Sequence, residues 1–249
     1  MICKINMEIE DEIKVKKKRV PAPILQRFYS EDDKYEICID EVGRGCLFGR
    51  VYIACVVLPK ESECFDGKDI KDSKKFSSKK KLNSVADYIK EKALCWHISY
   101  IESDVIDEIN ILQAVMRGMH NCIRETIQKL KLAHHQFRAV IDGNYFTPYH
   151  IYDDTTQSMY YLPHVTVEQG DAKYMGIAAA SILAKSERDA YILKLCDEHP
   201  VLSERYGLNT NMGYGTKTHL DGIREHGITQ WHRRTFGETC KNAVISKLI

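Results

Sequence analysis

The sequence predicts an α/β fold with a mixed central sheet flanked by helices and a helical C-terminal part. Short apolar runs rich in β-branched residues have the length of strands, and several of them end at glycine-bearing turns. Apolar residues at helical spacing occupy longer stretches between and after these runs. Strands that alternate with helices in this way are typical of α/β proteins.

The predicted strands share a high content of Val, Ile and aromatic residues. The first two are separated by a loop with several glycines, and in the third Trp96, Ile98 and Tyr100 alternate with other residues. The last two are short, and acidic residues follow at or near their ends. The predicted strands cover residues 36–40, 51–58, 94–101, 137–141 and 165–167.

Three helices are predicted from apolar spacing. The first carries Leu82, Val85, Ala86 and Ile89 and follows Ser77–Ser78, which could cap its N-terminus. The second is a long amphipathic helix over 112–130. The third is rich in small residues, begins with the run 177–185, continues toward Cys196 and is stopped by Pro200.

Length and composition favour a soluble globular protein. The chain has 249 residues, of which 44% are hydrophobic and 29% charged, so it can bury a substantial core. The longest apolar run, 51–58, is far shorter than the roughly 20 residues that span a bilayer. The first residues include a lysine and acids where a signal peptide needs an apolar core. We therefore expect an intracellular, cytoplasmic protein without a membrane segment.

The N-terminal residues differ in composition from the rest. Residues 1–30 alternate in charge and contain the basic run Lys14–Arg19, followed by Pro21 and Pro23. We predict a partly disordered extension over 1–30 and one catalytic domain over 31–249. The basic run is either a solvated tail or a nucleic-acid or targeting segment, and the sequence leaves both open.

The cysteines indicate neither a zinc site nor a disulfide framework. Their number is odd, and no Cys-x-x-Cys pair occurs. We expect reduced, mostly buried side chains. The nine cysteines are at positions 3, 38, 46, 55, 64, 95, 122, 196 and 240.

The stretch 35–45 is the most informative one for chemistry. Its strand leads through Asp40 and Glu41 into a loop with Gly43 and Gly45. Neighbouring side chains of a strand point to opposite faces, so the two acids share one site only if the strand ends there and Glu41 already lies in the turn. The alternative is an ordinary strand end with two solvated acids.

Two further acids lie at the ends of predicted elements. Asp142 ends the fourth strand, and Asp171 precedes a helix. Four convergent carboxylates, Asp40, Glu41, Asp142 and Asp171, without histidine or cysteine partners suit Mg²⁺ or Mn²⁺. Two such ions about 4 Å apart can activate water and stabilise the leaving oxygen of a phosphodiester. If the four acids converge, they need cations to neutralise them.

The fourth acid is chosen by helix length. Asp189 lies eighteen residues after Asp171, and eighteen residues of continuous helix span about 27 Å. Both therefore cannot bind the same pair of ions. We predict that Asp171 is the ligand and that Asp189 forms a structural or surface pair with Arg188.

Eight motifs in order resemble ribonuclease HII, the type 2 ribonuclease H, and the likeness covers about residues 34–237. Each motif alone is a weak signal, whereas eight in the right order are a strong one. The matching segments are 40–45 (DEVGRG), 72–77 (DSKKFS), 109–114 (INILQA), 141–143 (IDG), Gly170–Asp171 with 177–185, Arg188–Asp189, 213–216 (GYGT) with His219, and 232–236 (HRRTF).

The resemblance implies an RNase H-like fold and cleavage of the RNA strand of RNA–DNA hybrids. It also implies incision 5′ of a single ribonucleotide in duplex DNA, which leaves 3′-hydroxyl and 5′-phosphate ends. The catalytic, metal-binding acids of the family match Asp40, Glu41, Asp142 and Asp171, with two Mg²⁺ or Mn²⁺ ions acting during catalysis.

The resemblance further implies a set of substrate contacts. Gly43, Arg44 and Gly45 would recognise the ribose 2′-hydroxyl through backbone groups, and this hydroxyl distinguishes RNA from DNA. Tyr214 would stack on the sugar 3′ of the scissile phosphate and so select an RNA-to-DNA junction. Without the family match, Tyr214 would more simply be a turn aromatic that covers the core.

Phosphate contacts are implied for Asn110 and for the pair Ser73 and Lys74. The pair lies within a stretch, 68–81, that holds seven lysines. A solvated helix start is the competing interpretation of these lysines.

The chain departs from the family pattern at two places. Cys46, Phe48 and Arg50 stand where the family usually has proline, a small residue and a second proline, and Asn211-Met212 replaces a frequent His-Lys. From these changes we expect a less rigid loop and the loss of one phosphate contact. They leave the acids intact, so we expect activity.

Two histidines and the oligomeric state complete the expectations. His219 and His232 match family positions, and we interpret both as structural hydrogen-bonding residues. The Gly-Tyr-Gly-Thr form is similar to the single-chain bacterial type and favours a monomer, with RNA–DNA hybrid and ribonucleotide-containing duplex DNA as partners. The alternatives are a non-catalytic nucleic-acid-binding protein and another RNase H-like nuclease that acts on DNA.

Overall fold

The computed structural model describes residues 24–154 and 156–246. In this part of the chain, five strands form a mixed central sheet in the order β3-β2-β1-β4-β7, and two more form a separate hairpin. The strands are β1 (Tyr35–Val42), β2 (Val51–Val57), β3 (Cys95–Ile101), β4 (Phe137–Asp142), β5 (His150–Asp153), β6 (Ser158–Tyr161) and β7 (His164–Val167).

The direction of the strands brings three strand ends to one edge of the sheet. β1 runs antiparallel to β2 and β2 antiparallel to β3, whereas β1, β4 and β7 are parallel neighbours. Ile39 pairs with Ile141, and Asp142 pairs with Val167. The carboxyl ends of β1, β4 and β7 therefore lie side by side, and the predicted mixed sheet is confirmed.

Helices cover both faces of the sheet and form the C-terminal part. The predicted cap is confirmed at Ser78, whose hydroxyl accepts a hydrogen bond of 3.2 Å from the N–H of Lys81. The helices are α1 (Lys79–Lys92), α2 (Ser103–Ile109), α3 (Ile111–Leu130), α4 (Met175–Glu198), α5 (Val201–Tyr206), α6 (Leu208–Asn211), α7 (Lys217–His226) and α8 (Gly237–Lys241).

The alternation of side chains along the strands determines which helix each face contacts. Ile37 and Ile39 of β1 pack in the core beneath α3, whereas Cys38 packs with Val140 and Ile177 on the face of α4. Even-numbered residues of β1 and β4 thus face α4. Asp40 and Asp142 continue this even-numbered series, so both leave the sheet on the α4 side.

The C-terminal helices α5–α8 build their own apolar cluster. Phe48, from the loop between β1 and β2, inserts into it with no exposed surface and packs with Ile192, Tyr206 and Ile223. The helical end predicted from the sequence is therefore tied to the first loop of the sheet.

Three elements differ from the sequence-based expectation. The β5–β6 hairpin and α2 are present but were not predicted. The hairpin strands have four residues each and a largely exposed surface, so they lack the apolar run that marks a strand. β1 continues two residues beyond the predicted end, to Val42.

The N-terminal boundary is only partly visible. Residues 1–23, with the basic run, lie outside the described residues. Residues 24–30 contact the folded domain, since Gln26 forms a bridge with Tyr174 and Arg27 donates hydrogen bonds to the carbonyl groups of Phe65 and Pro59. A separate extension and its boundary at residue 30 stay a prediction. Within 24–154 and 156–246, no helix has the length and apolarity that a bilayer crossing requires.

Candidate active site

The site begins with two aspartates at the ends of neighbouring parallel strands. Asp40 is 5% exposed, and its Oδ1 accepts a hydrogen bond of 2.7 Å from the N–H of Glu41. Oδ1 of Asp142 accepts one of 2.6 Å from the N–H of Gly170. Burial raises the pKa of Asp40, and the negative charge of Asp142 raises it further. Burial also raises the pKa of Asp142.

Glu41 lies close enough to Asp142 for the two charges to interact, although the sequence analysis expected a different backbone course. β1 includes Asp40 and Glu41 and ends at Val42, so the expected strand end before Glu41 is wrong. Glu41 leaves the sheet on the face opposite Asp40. Burial raises the pKa of Glu41, as does the charge of Asp142, while Arg44 lowers it. Its side chain is 15% exposed.

Asp171 joins the cluster through the turn after β7. It lies in a short 3₁₀ turn, Gly170–Ala172, and is 7% exposed. The preceding Gly170 donates to Asp142, and the charge of Asp171 contributes to the raised pKa of Asp142. Nζ of Lys74 lies 3.5 Å from Oδ2 of Asp171 and supplies positive charge to this side of the site.

Ser181 of α4 is a site residue that the sequence analysis missed. It is 2% exposed, its hydroxyl lies 3.0 Å from that of Ser73, and it hydrogen-bonds the Asp40 carboxylate and lowers the pKa of that group. The only hint in the sequence is a hydroxyl within the otherwise apolar run 177–184. The Ser73 hydroxyl is thus linked to Asp40 only through Ser181. The amine of Lys74, in contrast, lies next to the Asp171 carboxylate.

The oxygen ligands of the site are those that the predicted divalent cations prefer. Among the described residues, no three or more His, Cys, Asp or Glu side chains already surround one point as a preformed metal cage. The site offers only carboxylate oxygens, and their negative charges raise one another's pKa. Such a donor set fits hard cations, which would neutralise these charges.

Asp189 lies away from Asp171, and its partner differs from the predicted one. α4 is continuous, so Asp189 lies several turns from Asp171. Oδ1 of Asp189 accepts a hydrogen bond of 2.7 Å from Nζ of Lys185, one turn earlier. The predicted pair with Arg188 is therefore wrong, because adjacent residues of a helix point in different directions.

The loop after β1 is shaped around Arg188. Gly43 has φ +93°, and a Cβ at this position would lie 2.2 Å from Nε of Arg188, so only glycine fits. At Gly45 a Cβ would meet nothing within 4 Å. The side chain of Arg44 is largely exposed and lies 3.5 Å from Glu41. The backbone at Gly45 is thus open to a ligand beside the carboxylates.

Two fully buried arginines hold this loop. Nη2 of Arg188 donates to the carbonyl of Phe48 at 3.3 Å. Arg233 donates to the carbonyl of Arg44 at 2.9 Å and to that of Gly49 at 3.0 Å. Both side chains have no exposed surface. Buried guanidinium groups bound to backbone carbonyls restrict the loop without proline.

The residues that replace the family prolines also have structural roles. The Arg50 guanidinium lies 4.0 Å from the ring centre of Tyr100 and 4.4 Å from that of Tyr191, and its Nη2 is 2.6 Å from Glu102. Cys46 is fully buried, and burial raises the pKa of its thiol. The loop is therefore fixed by other contacts.

Tyr214 lies next to the loop between β1 and β2. It follows Gly213, which has φ +83° and whose carbonyl accepts a 2.9 Å hydrogen bond from the N–H of Leu47. The Tyr214 side chain is 44% exposed, and the Arg188 guanidinium lies 5.8 Å from its ring centre. An exposed aromatic ring therefore stands beside the Gly43–Gly45 loop, with Arg188 between them.

The remaining departures and contacts lie nearby. Asn211 accepts a hydrogen bond of 2.8 Å from the N–H of Gly213 and donates one of 2.7 Å to the carbonyl of Tyr206, so it shapes the turn before Tyr214. Asn110 caps α3, with its Oδ1 3.1 Å from the N–H of Gln113. Its predicted phosphate contact stays a prediction.

Comparison with known proteins identifies relatives of this chain. The sequence pattern of the family Ribonuclease HII matches residues 37–239. The ribonuclease HII of Parabacteroides distasonis is 42% identical over 208 residues, which cover 84% of this chain and 92% of that protein. The ribonuclease HII of Bacteroides thetaiotaomicron is 41% identical with the same coverage.

Solved structures share the fold at lower identity. The ribonuclease HII in a PCNA complex from Archaeoglobus fulgidus matches with a TM-score of 0.59 and 23% identity, over 82% of this chain and 95% of that one. Ribonuclease H2 from Pyrococcus horikoshii matches with a TM-score of 0.57 and 20% identity, over 83% and 95%. The expected RNase H-like fold is confirmed, and the chain belongs to the ribonuclease HII family of metal-dependent RNA–DNA hybrid ribonucleases.

Proposed function

We propose that this ribonuclease H also incises duplex DNA 5′ of a single embedded ribonucleotide and leaves 3′-hydroxyl and 5′-phosphate ends. The observation that carries the proposal is the open backbone at Gly45, in the loop that follows Asp40 and Glu41 and that hydrogen-bonds through Leu47 to the turn before the exposed Tyr214. This arrangement offers a contact for a 2′-hydroxyl next to a surface for the following sugar.

The four carboxylates are assigned to metal binding. Asp40, Glu41, Asp142 and Asp171 would hold two divalent ions, Mg²⁺ or Mn²⁺. When bound, such ions activate water and stabilise the leaving oxygen of a phosphodiester. Ser181 orients the Asp40 carboxylate, and the N–H of Gly170 orients that of Asp142.

Substrate recognition is assigned to groups around the cluster. The backbone of Gly43, Arg44 and Gly45 would contact the ribose 2′-hydroxyl, and close approach is possible because Gly45 has no side chain. Tyr214 would stack on the next sugar. Lys74, Ser73 and Asn110 would contact phosphates, with Lys74 contributing charge. We further propose that a single chain suffices.

The test is a cleavage assay with three duplexes of equal length, in Mg²⁺ and in Mn²⁺. One is all DNA, one contains a single ribonucleotide, and one is an RNA–DNA hybrid. Incision 5′ of the ribonucleotide without cutting of all-DNA duplex supports the proposal. Binding without cleavage in either ion would indicate a non-catalytic protein, and cutting of all-DNA duplex would indicate a different nuclease.

A further inference from the structure

Two buried histidines connect the backbone of Tyr214 to the segment that follows α7. His219 has no exposed surface and His232 is 1% exposed. Their Nε2 atoms lie 3.1 Å apart, Nδ1 of His219 lies 2.9 Å from the carbonyl oxygen of Tyr214, and Nδ1 of His232 lies 3.0 Å from the backbone nitrogen of Thr229. Every ring nitrogen of the pair therefore has a partner.

The two backbone groups at the ends determine where the protons are. The N–H of Thr229 can only donate, so Nδ1 of His232 accepts and Nε2 carries the proton. Nε2 of His232 then donates to Nε2 of His219, which leaves the proton of His219 on Nδ1, where it donates to the Tyr214 carbonyl. Both rings are neutral. The N–H of Thr229 can only donate and the carbonyl of Tyr214 can only accept, so the direction of all three hydrogen bonds is fixed.

His232 also contacts the loop on the other side of the site. Its ring packs edge-on against Phe48 at 4.9 Å between centroids, and the backbones of these two residues form an antiparallel bridge. Phe48 follows the Gly43–Gly45 loop in the chain. His232 therefore contacts Phe48, in the connection between β1 and β2 that also holds Gly43–Gly45, and is linked through His219 to the backbone of Tyr214.

From these contacts we infer that His219 and His232 are positioning residues that fix Tyr214 relative to the Gly43–Gly45 loop and so determine the preference for a ribonucleotide followed by DNA. The inference rests on the function proposed above for Tyr214 and the loop. A shift of the Tyr214 backbone changes the distance between the tyrosine ring, which would contact the DNA sugar, and the Gly43–Gly45 loop, which would contact the ribose. An RNA-to-DNA junction must make both contacts at once. A continuous hybrid offers ribose at every position and depends less on that distance.

The first test compares kcat/KM for a DNA duplex with one ribonucleotide and for an RNA–DNA hybrid of the same length. His219→Leu removes both hydrogen bonds and should lower the single-ribonucleotide to hybrid ratio by about tenfold or more. His219→Asn places an amide N–H where Nδ1 stood and should restore much of the ratio. The control Ile223→Ala makes a cavity one turn further along α7 and should leave the ratio unchanged at a comparable loss of Tm.

The outcomes separate the two proposals. If Tyr214→Ala changes the ratio but His219→Leu does not, the positioning role is overturned and the role of Tyr214 stands. If Tyr214→Ala leaves the ratio unchanged, both fail. An equal change in Ile223→Ala would show a general packing effect and would also overturn the positioning role.

A second test needs no substrate. Nitrogen NMR of the protein with isotope-labelled histidine reports which ring nitrogen carries the proton. We expect the Nδ1–H form for His219 and the Nε2–H form for His232 at neutral pH. A proton on Nε2 of His219, or a charged ring at either position, would contradict the chain of hydrogen bonds.

Discussion

Nζ of Lys74 lies 3.5 Å from Oδ2 of Asp171, across the turn that follows β7. The carboxylates of Asp171, Asp72 and Asp40 raise the pKa of Lys74 against the opposing effect of partial burial, so the amine is charged. Its side chain is 81% exposed. The lysine therefore stands between the carboxylate cluster and solvent, where a phosphate of the substrate would arrive.

Replacing Lys74 tests this placement. We expect Lys74→Met to weaken hybrid binding and to reduce the slope of log K against log salt by about 0.9 in magnitude, because one phosphate contact is lost. Binding is measured by titration at several salt concentrations, in Ca²⁺ to prevent turnover. Lys68→Met, an exposed lysine paired with Asp66, is the control. An unchanged slope in Lys74→Met would refute the phosphate contact.

Asp40→Asn should abolish cleavage and retain hybrid binding. The change removes a charged metal ligand without altering volume, and the loss should exceed the roughly 10- to 100-fold cost of removing an outer-shell partner. Single-turnover cleavage and a binding titration are measured together. Asp197→Asn, an exposed aspartate near the C-terminal end of α4, serves as the control. Cleavage by Asp40→Asn at the wild-type rate would exclude Asp40 as a ligand.

Ser181→Ala tests the support of Asp40 from α4. Because the hydroxyl orients the carboxylate, its removal should raise the Mg²⁺ concentration needed for half-maximal activity about 10- to 100-fold. Activity at saturating Mg²⁺ should recover in part. The control Ser186→Ala removes another hydroxyl of α4, which donates a hydrogen bond of 3.0 Å to Asn83 of α1. The Mg²⁺ dependence of this variant should match that of the wild type.

The histidine pair should make folding stability depend on pH. Burial, together with His219, lowers the pKa of His232 to about 3, whereas an unfolded histidine has a pKa of about 6.5. The unfolded state therefore binds a proton first, and stability that is present above pH 6.5 is lost as the pH falls toward 3. From pH 7.5 to 5 the free energy of unfolding should fall by about 2 kcal/mol from this residue.

Urea denaturation at the two pH values checks this expectation. His232→Gln is neutral throughout, so its stability should vary less with pH than that of the wild type, by about the same 2 kcal/mol. Its absolute stability is expected to be lower, because the hydrogen bonds to Thr229 are rearranged. Equal pH dependence in both proteins would show that His232 does not titrate as its burial requires.

Much of the site follows from the positions of acids at element ends. Asp142 ends β4 and Asp171 lies in the turn before α4, as expected, because a strand end and a strand-to-helix turn are visible in the apolar pattern. The strand end expected before Glu41 does not exist, because β1 continues to Val42. Alternation along one strand does not show how far that strand pairs with its neighbours. The assignment of Glu41 therefore depends on the family resemblance rather than on spacing.

Other parts of the site depend on contacts that local sequence does not show. Arg188 and Arg233 look like surface residues by type, yet each is buried because it binds carbonyls of residues 140 and 184 positions away. Ser181 is a single hydroxyl in an alanine-rich helix. The β5–β6 hairpin has exposed residues and no apolar run, so its pairing is not visible as a pattern.

Arg233 connects the loop between β1 and β2 to a part of the chain that is synthesised much later. The four carboxylates and Gly43–Gly45 are all translated before residue 172, but the loop also receives hydrogen bonds from Arg233, which is translated later. Domains begin to fold from the N-terminus as they are synthesised. A polypeptide truncated before residue 233 would thus contain all four carboxylates but lack these hydrogen bonds to the loop, and we expect it to choose its substrates less strictly.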